Sequence, residues 1–530
     1  MMAKSNQIFQ TNNKSRWRRF KWLSRLFFLF GLIAISALAI SITHLFVPQI
    51  PLEGGAVKKV LTTEIPEYRA SKLSKEYRGF RKAIEEVWNK KKLSNTLATN
   101  AHFSTSNLFN DSTGIRAAFY VAWDPQSFTS LKKNISKINL VFPEWFFIDP
   151  LTDTLVTNID KKSLGLMKSA GTNIMPILSN NYKEIFRGDV VHRIINNPIK
   201  KEKFINSILI ALLKNKLQGI NIDFEDLQET TDEPLIAFQK ELYEKLHANN
   251  LIVTQDIIPF NDDYNFKELA KYNDYLVLMA YDEHTSESMP GSISNQKWIE
   301  AAVEKMIKNI DPKKIILGIA GYGYDWKIKS KTTSNITYQQ ALAKARESEN
   351  KVIYDNSSYN LHFQYLDDND TLHEVHFTDA ATNFNTLRFA TEMELAGTAL
   401  WRLGSEDSRL WDFYNKPMTK AALTKFNFAE FNKVESNTEP DYFGDGEILD
   451  VVATPTEGYI SLQLDNDLIL IAEENYEKLP STYVIKKWGK PKPQNKIVLS
   501  FDDGPDELYT KQILDTLSAY HVPAVFFVVG

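Results

Sequence analysis

Eight short apolar runs, each separated from the next by a stretch with helical spacing, constrain this chain more than any other feature. They read IRAAFYVAW (115–123), INLVFPEWFFI (138–148), NIMPILS (173–179), GINIDFE (219–225), LIVTQDIIP (251–259), YLVLMAYD (275–282), KIILGIAGYGYDW (314–326) and GTALWRLG (397–404). Runs rich in β-branched and aromatic residues, without polar alternation, belong to strands buried on both faces, and regular alternation with helices makes such strands parallel. Eight of these units within residues 114–412 predict an α/β fold, a (β/α)8 barrel with its reactive groups at the C-terminal strand ends.

The gap between the seventh and eighth runs is long. It holds YQQALAKARE, a helix, and HFQYLDD with HEVHFTD, a hairpin, so a small α+β insertion is expected between strands 7 and 8 on the catalytic face. His373 and His376 stand three apart on a strand and therefore point to opposite faces, which argues against a zinc pair.

Ahead of the barrel, Leu26 to Val47 form 22 residues with no formal charge apart from a protonatable His44. At 1.5 Å per residue that length crosses a hydrocarbon core of about 30 Å. Lys14, Arg16, Arg18, Arg19, Lys21 and Arg25 precede it, so the N-terminus is placed in the cytoplasm and everything after Val47 outside it. Ala37-Leu38-Ala39 resembles a signal-peptide cleavage site, but the apolar run continues beyond it, and the segment reads as an uncleaved transmembrane helix. The expected organisation is a basic cytoplasmic tail (1–25), a membrane anchor (26–47), a juxtamembrane spacer (48–113), the barrel (114–412), a linker with a small β segment (413–495) and the start of a second α/β domain (496–530). Within the spacer, Leu73, Tyr77, Phe80, Ile84 and Val87 have helical spacing. A net charge of −4 offers nothing to nucleic acid, and the absence of cysteine excludes disulfides, thiolate metal sites and thiol nucleophiles.

The fourth run carries the chemistry. Asn221, Asp223 and Glu225 alternate along a strand, so all three face one side, the barrel interior, with Glu225 outermost. Two carboxylates at that spacing raise the pKa of one of them, which keeps a glutamic acid protonated as a general acid near neutrality.

This segment resembles the D-x-x-D-x-D-x-E signature of glycoside hydrolase family 18, here Gln218-Gly219-Ile220-Asn221-Ile222-Asp223-Phe224-Glu225. MAYD (279–282), GYGYDW (321–326) and LWRLGSED (400–407) follow in the same order and are most similar to the spore-cortex and peptidoglycan N-acetylglucosaminidase branch. The resemblance implies that Glu225 is the acid, that Asp223 orients a substrate acetamide which itself attacks the anomeric carbon, and that Tyr281 hydrogen-bonds that acetamide. It further implies substrate contacts at Asn221, Met279, Asp282 and Trp401, and no cofactor in the barrel. Tyr120, Trp123 and Trp145, near strand ends, are either sugar-stacking or packing residues. Gln218 and Asn221 depart from the signature, and no deeper carboxylate along strand 4 is left to share a proton with Asp223. The implied partner is an N-acetylglucosamine-containing polysaccharide outside the cytoplasmic membrane of a bacterium. The alternative is a barrel that binds such a glycan without cutting it.

SFDDGP (500–505) resembles the first motif of the NodB-homology polysaccharide deacetylases. There the first aspartate is a general base and the second a ligand of a divalent metal, zinc, which implies Asp502 as base and Asp503 as ligand. The H-x-x-x-H pair that completes such a site does not occur in this sequence, and about 35 residues are too few for a core of their own. The chain is therefore expected to be a fragment of a longer protein, with an inactive deacetylase portion.

Overall fold

The computed structural model describes residues 114–227, 233–330, 332–436, 440–465, 469–490, 497–506 and 508–528, together with Glu86. The expected membrane helix at 26–47 and the spacer helix lie outside these residues, apart from Glu86. Among the described residues no helix is long and apolar enough to cross a membrane.

The eight apolar runs are eight strands: β1 (Ile115–Tyr120), β2 (Leu140–Asp149), β3 (Ile177–Ser179), β4 (Gly219–Asp223), β5 (Ile252–Ile257), β6 (Tyr275–Leu278), β7 (Ile315–Ala320) and β8 (Gly397–Trp401). Each pairs in parallel with its sequence neighbours, and β8 pairs with β1 to close the barrel. Alternation along the strands sorts the side chains. Ile115, Ala117 and Phe119 of β1, Ile252 of β5 and Ala399 of β8 fill the interior. Ala118, Tyr120, Ile220, Ile222 and Val253 face the surrounding helices. Gly219 opens β4 because a Cβ there would meet the Ile252 carbonyl oxygen at 2.1 Å, a close approach that only glycine allows.

Helix boundaries follow local chemistry. Asn197 caps Pro198–Asn215 by accepting from Ile199 and Lys200 N–H, with proline in the first turn. In the insertion, Thr337 and Gln340 form a capping box at the start of helix Tyr338–Glu347.

The insertion is larger than the sequence suggested. Strands Thr332–Thr337, Tyr322–Lys327, Leu372–Phe377, Asn360–Leu366 and Ile353–Asp355 lie side by side, and the sheet then continues through Leu470–Lys478, Gly458–Asp465 and Lys433–Val434. The region expected as a linker thus supplies three strands to the insertion sheet. Phe413 and Phe431 pack on Phe384 with ring centroids 5.5 Å away in each case, and Ile460, Leu470 and Ile471 are fully buried. Arg409 is the polar link: its guanidinium meets Asp407 at 2.6 Å, Asp379 at 3.1 Å and Glu474 at 3.4 Å.

At the C-terminus, strands Leu499–Gly504 and Ala524–Val528 pair in parallel around helix Tyr509–Ala519. This is the strand–helix–strand order expected, and none of its described residues is buried.

Candidate active site

The C-terminal ends of the barrel strands open into a cleft of about 1220 Å³, lined among others by Asp223, Glu225, Asp256, Met279, Tyr281, Asp282 and Trp401. Asp223 ends β4, and Glu225 follows two residues later. The Glu225 backbone is held on both sides by Asn180, whose amide donates to the Glu225 carbonyl at 2.8 Å while its oxygen accepts the Glu225 N–H at 3.0 Å. Tyr264 adds a hydroxyl bond to the Phe224 carbonyl at 2.8 Å. This loop is therefore fixed before any ligand arrives.

The side chains of Asp223 and Glu225 are close enough to shift each other's titration, and Ser179 at the end of β3 lowers the Asp223 pKa against its burial. Burial pushes Asp223 up to about 6. Burial, then the neighbouring Asp223 charge, holds Glu225 well above the usual carboxylate range. One acid is thus charged near neutrality while its neighbour keeps its proton.

Tyr281 is 7% exposed and stacks beside Trp401 with centroids 6.5 Å apart. Burial raises its hydroxyl pKa well above the ordinary value, so it stays a donor. Asp282 adopts φ of 60°, a left-handed conformation that aspartate tolerates better than most residues. Its carboxylate accepts from the hydroxyls of Tyr322 and Tyr324, the latter at 3.1 Å. Burial raises the Asp282 pKa, against the effect of these two bonds. Tyr322 and Tyr324 come from the GYGYDW segment and were not singled out from sequence.

Strand geometry sorts the three aromatics left open between sugar-stacking and packing. Tyr120 points out of the barrel, where its hydroxyl bonds Asp160 at 2.7 Å, because period two sends Phe119 inward instead. Trp145 is fully buried between barrel and helices. Trp123 alone of the three reaches the cleft: it is 65% exposed, its indole N–H donates to Glu144 at 2.8 Å, and Arg402 lies over its ring at 4.4 Å.

Gln218 is not in the cleft at all. It accepts the Ile174 N–H at 2.8 Å at the opposite end of the barrel strand. Asn221 is buried, with its oxygen accepting from Thr254 at 2.7 Å and its amide donating to Asp256 at 2.6 Å. A third carboxylate does exist, supplied by the neighbouring strand at the level of Asp223. Its signal was the lone acidic residue in LIVTQDIIP, on the same face as Ile252.

His373 and His376 do point apart. His373 bonds Asp325 at 2.7 Å, and His376 stacks on His362 at 5.3 Å. Among the described residues no three metal-ligating side chains converge. Asp502 and Asp503 are both exposed, and two adjacent carboxylates without a third donor do not fit a catalytic metal.

A closed parallel barrel with paired acids at the end of its fourth strand defines a class, the (β/α)8 glycosidases. Within that class, residues 179–407 match the model of glycosyl hydrolases family 18, and residues 489–530 match that of polysaccharide deacetylase. The barrel is a glycoside hydrolase of the family 18 type. An uncharacterized glycosylase of Bacillus subtilis, YvbX, is 26% identical over 309 residues, covering 56% of this chain and 90% of that protein. The cortical fragment-lytic enzyme of the same organism is 23% identical over 259 residues, 46% of this chain and 60% of the relative. The spore cortex-lytic enzyme SleL of Bacillus megaterium superimposes with a TM-score of 0.53 at 22% identity, over 58% of this chain and 74% of that one, and shares the fold.

Proposed function

We propose that this protein hydrolyses β-linked N-acetylglucosamine polysaccharide outside the cytoplasmic membrane, by substrate-assisted, retaining catalysis. The observation that carries the reading is the placement of Asp223 and Glu225 together at the end of β4, in one cleft with Tyr281 and Trp401, where burial and mutual repulsion raise the pKa of Glu225.

Glu225 gives its proton to the glycosidic oxygen as the bond from that oxygen to the anomeric carbon breaks. The acetamide oxygen of the same sugar forms a bond to that carbon, and the positive charge of the resulting oxazolinium ion lies beside Asp223. Tyr281 donates to the acetamide, Trp401 forms the apolar floor with Met279 at its edge, and Asp282, fixed by two tyrosines, holds the ring. Asn221 supports the pair from below. Water, deprotonated by Glu225, then opens the oxazolinium ring and restores the configuration.

The substrate class is supported by the cortical fragment-lytic relative and by the deacetylase match, since both chemistries act on N-acetylated sugar. The 22-residue apolar run with its preceding cations supports attachment to the membrane through Leu26–Val47, with the barrel outside. Asp502 and Asp503 belong to the deacetylase-like segment, and for them we infer the base and ligand roles only in a domain that supplies the missing donors.

The test is turnover by the full chain on chitin oligomers, peptidoglycan and β-1,6-linked N-acetylglucosamine oligomers, with Glu225→Gln alongside and products read by mass spectrometry. Cleavage abolished in the variant is expected. Binding without cleavage by the folded wild type would overturn the reading in favour of a glycan-holding scaffold.

A further inference from the structure

We propose that Asp256 is a positioning residue of this glycosidase: through Asn221 it supplies, from β5, the third carboxyl of a site whose other two are Asp223 and Glu225. The inference rests on the glycosidase reading and deepens it.

The geometry carries it. Asn221 and Thr254 are register partners on β4 and β5. Ile252, Thr254 and Asp256 share a face by period two, and Ile252 is in the barrel interior. The resulting chain of bonds runs from the Thr254 hydroxyl to the Asn221 oxygen and from the Asn221 amide to Asp256 Oδ2, at 2.7 and 2.6 Å. Asp256 is 2% exposed yet lines the cleft. Its second oxygen, Oδ1, is buried with no hydrogen-bond partner, and so is Oδ1 of Asp223. If accepting one bond from Asn221 were its whole purpose, an asparagine would do so without a buried acid. An unpartnered buried oxygen is costly, and two in one site fit protons that move among these acids.

The groups that face Asp256 are Asp223 and Glu225 from β4 and its loop, Tyr281 after β6, and Tyr264 after β5. Asp282 and Glu144 lie along the same cleft, and Arg402 is on its rim. The reaction needs Asp223 charged and Glu225 protonated. Burial, then the Asp223 charge, holds Asp256 well above the usual carboxylate range, so it too begins with a proton. As pH rises, Asp256 and Glu225 compete to ionise, and whichever loses its proton first raises the pKa of the other. With Asp256 present, the cleft can release a proton without discharging the acid. Asp256 thereby does from the next strand what an aspartate at position 221 would do from β4.

The experiment compares pH profiles of kcat and kcat/KM for the full chain and for Asp256→Asn, Asp256→Glu and the double variant Asn221→Asp/Asp256→Asn. Asp256→Asn is expected to move the alkaline limb of kcat/KM down by about one pH unit and to lower kcat at pH 7 about tenfold, with KM within about threefold of wild type. The double variant, with the carboxyl moved to β4, is expected to return the limb and most of kcat. An unmoved limb with kcat within about twofold overturns the proposal. So does lost activity with unmoved limbs that neither Asp256→Glu nor the double variant restores, which marks a structural role. If Asp256→Asn does not fold, the Asp256→Glu and double-variant profiles decide by the same criteria. A wild type that cleaves none of the glycans removes the glycosidase reading instead. Infrared titration of the protonated carboxyls then tests the coupling directly: carboxyl bands that titrate at lower pH in Asp256→Asn support it, and unchanged bands overturn it.

Discussion

Trp123 donates its indole N–H to Glu144 at 2.8 Å while the Arg402 guanidinium covers its ring at 4.4 Å, so an indole that is 65% exposed is nonetheless held in one orientation on the cleft rim. Burial raises the Glu144 pKa, against the effect of that bond and of Arg402. A fixed, exposed aromatic face binds a sugar ring without first losing rotamer entropy. Trp123→Ala is expected to raise KM for a hexamer of N-acetylglucosamine about tenfold, equivalent to about 1.4 kcal/mol, with kcat within about twofold. Glu144→Gln keeps an acceptor for the indole and is expected to change KM less than about threefold. Steady-state kinetics on oligomers of increasing length check both.

The Asp223–Glu225 pair sets the pH response. In the proposed mechanism Asp223 must ionise, so kcat/KM is expected to rise as pH passes about 6, and to fall on the alkaline side where Glu225 loses its proton. Stability runs the other way. Both groups have folded pKa values above their unfolded ones, so the stability linked to them is fully present below the unfolded value of about 4 and is lost as pH rises towards the folded values. Glu225→Gln removes the part of that loss that Glu225 contributes. Its Tm is expected to exceed that of wild type by a few degrees at pH 8 and to match it at pH 4, which thermal unfolding at the two pH values would reveal.

Much of this was legible in sequence for a definite reason. Barrel strands are buried on both faces, so each appears as an uninterrupted apolar run, and seven of the eight lie wholly within the quoted segments, β2 ending one residue beyond its own. The same property hid which face each aromatic takes: FY at 119–120 offers two candidates for the cleft, and only strand register assigns Phe119 inward and Tyr120 outward. Asp256 was hidden for a related reason, since its partner Asn221 is 35 residues away and the contact depends on how β4 and β5 align. That three of the strands after Trp411 join the insertion sheet was hidden because what ties them in is scattered: single aromatics around Phe384 and carboxylates around one arginine.

The mechanism proposed for the barrel calls on no metal. In that mechanism the acid, the acetamide-orienting carboxylate and the attacking oxygen are all supplied by protein or substrate, and the exposed Asp502–Asp503 pair has no third donor among the described residues. Prolonged treatment of the full chain with EDTA is expected to leave glycan cleavage within about 20% of the untreated rate, against the near-complete loss typical of a metal-activated water. Added zinc is expected to release no acetate from N-acetylglucosamine oligomers. Cleavage that collapses on chelation and returns with metal would contradict the mechanism drawn from Asp223 and Glu225.

Arg409 is 4% exposed and is surrounded by Asp379, Asp407 and Glu474, with the Tyr338 and Tyr476 hydroxyls each 3.1 Å from its guanidinium. Asp407 lies just after β8, Tyr338 begins the insertion helix, Asp379 caps the helix before β8, and Glu474 and Tyr476 lie on the late strand Leu470–Lys478. One cation therefore ties together acids from parts of the chain up to 95 residues apart, counted as 474 minus 379. Removing one member of a buried charge cluster leaves the others uncompensated, a loss of about 3–5 kcal/mol. Arg409→Ala is accordingly expected to lower Tm by about 10 °C or to prevent folding, and Arg409→Lys, which keeps the charge but not the planar fork, to recover only part of the loss. A chain stopped at residue 440 loses Glu474, Tyr476 and two strands of the insertion sheet together, and is expected to be less stable than one carried through Trp488. Because Tyr322 and Tyr324 stand on that same sheet and hold Asp282, the shortened chain should also lose glycan cleavage before it loses the helical signal of the barrel. Parallel activity and circular dichroism measurements on a temperature ramp would separate the two losses.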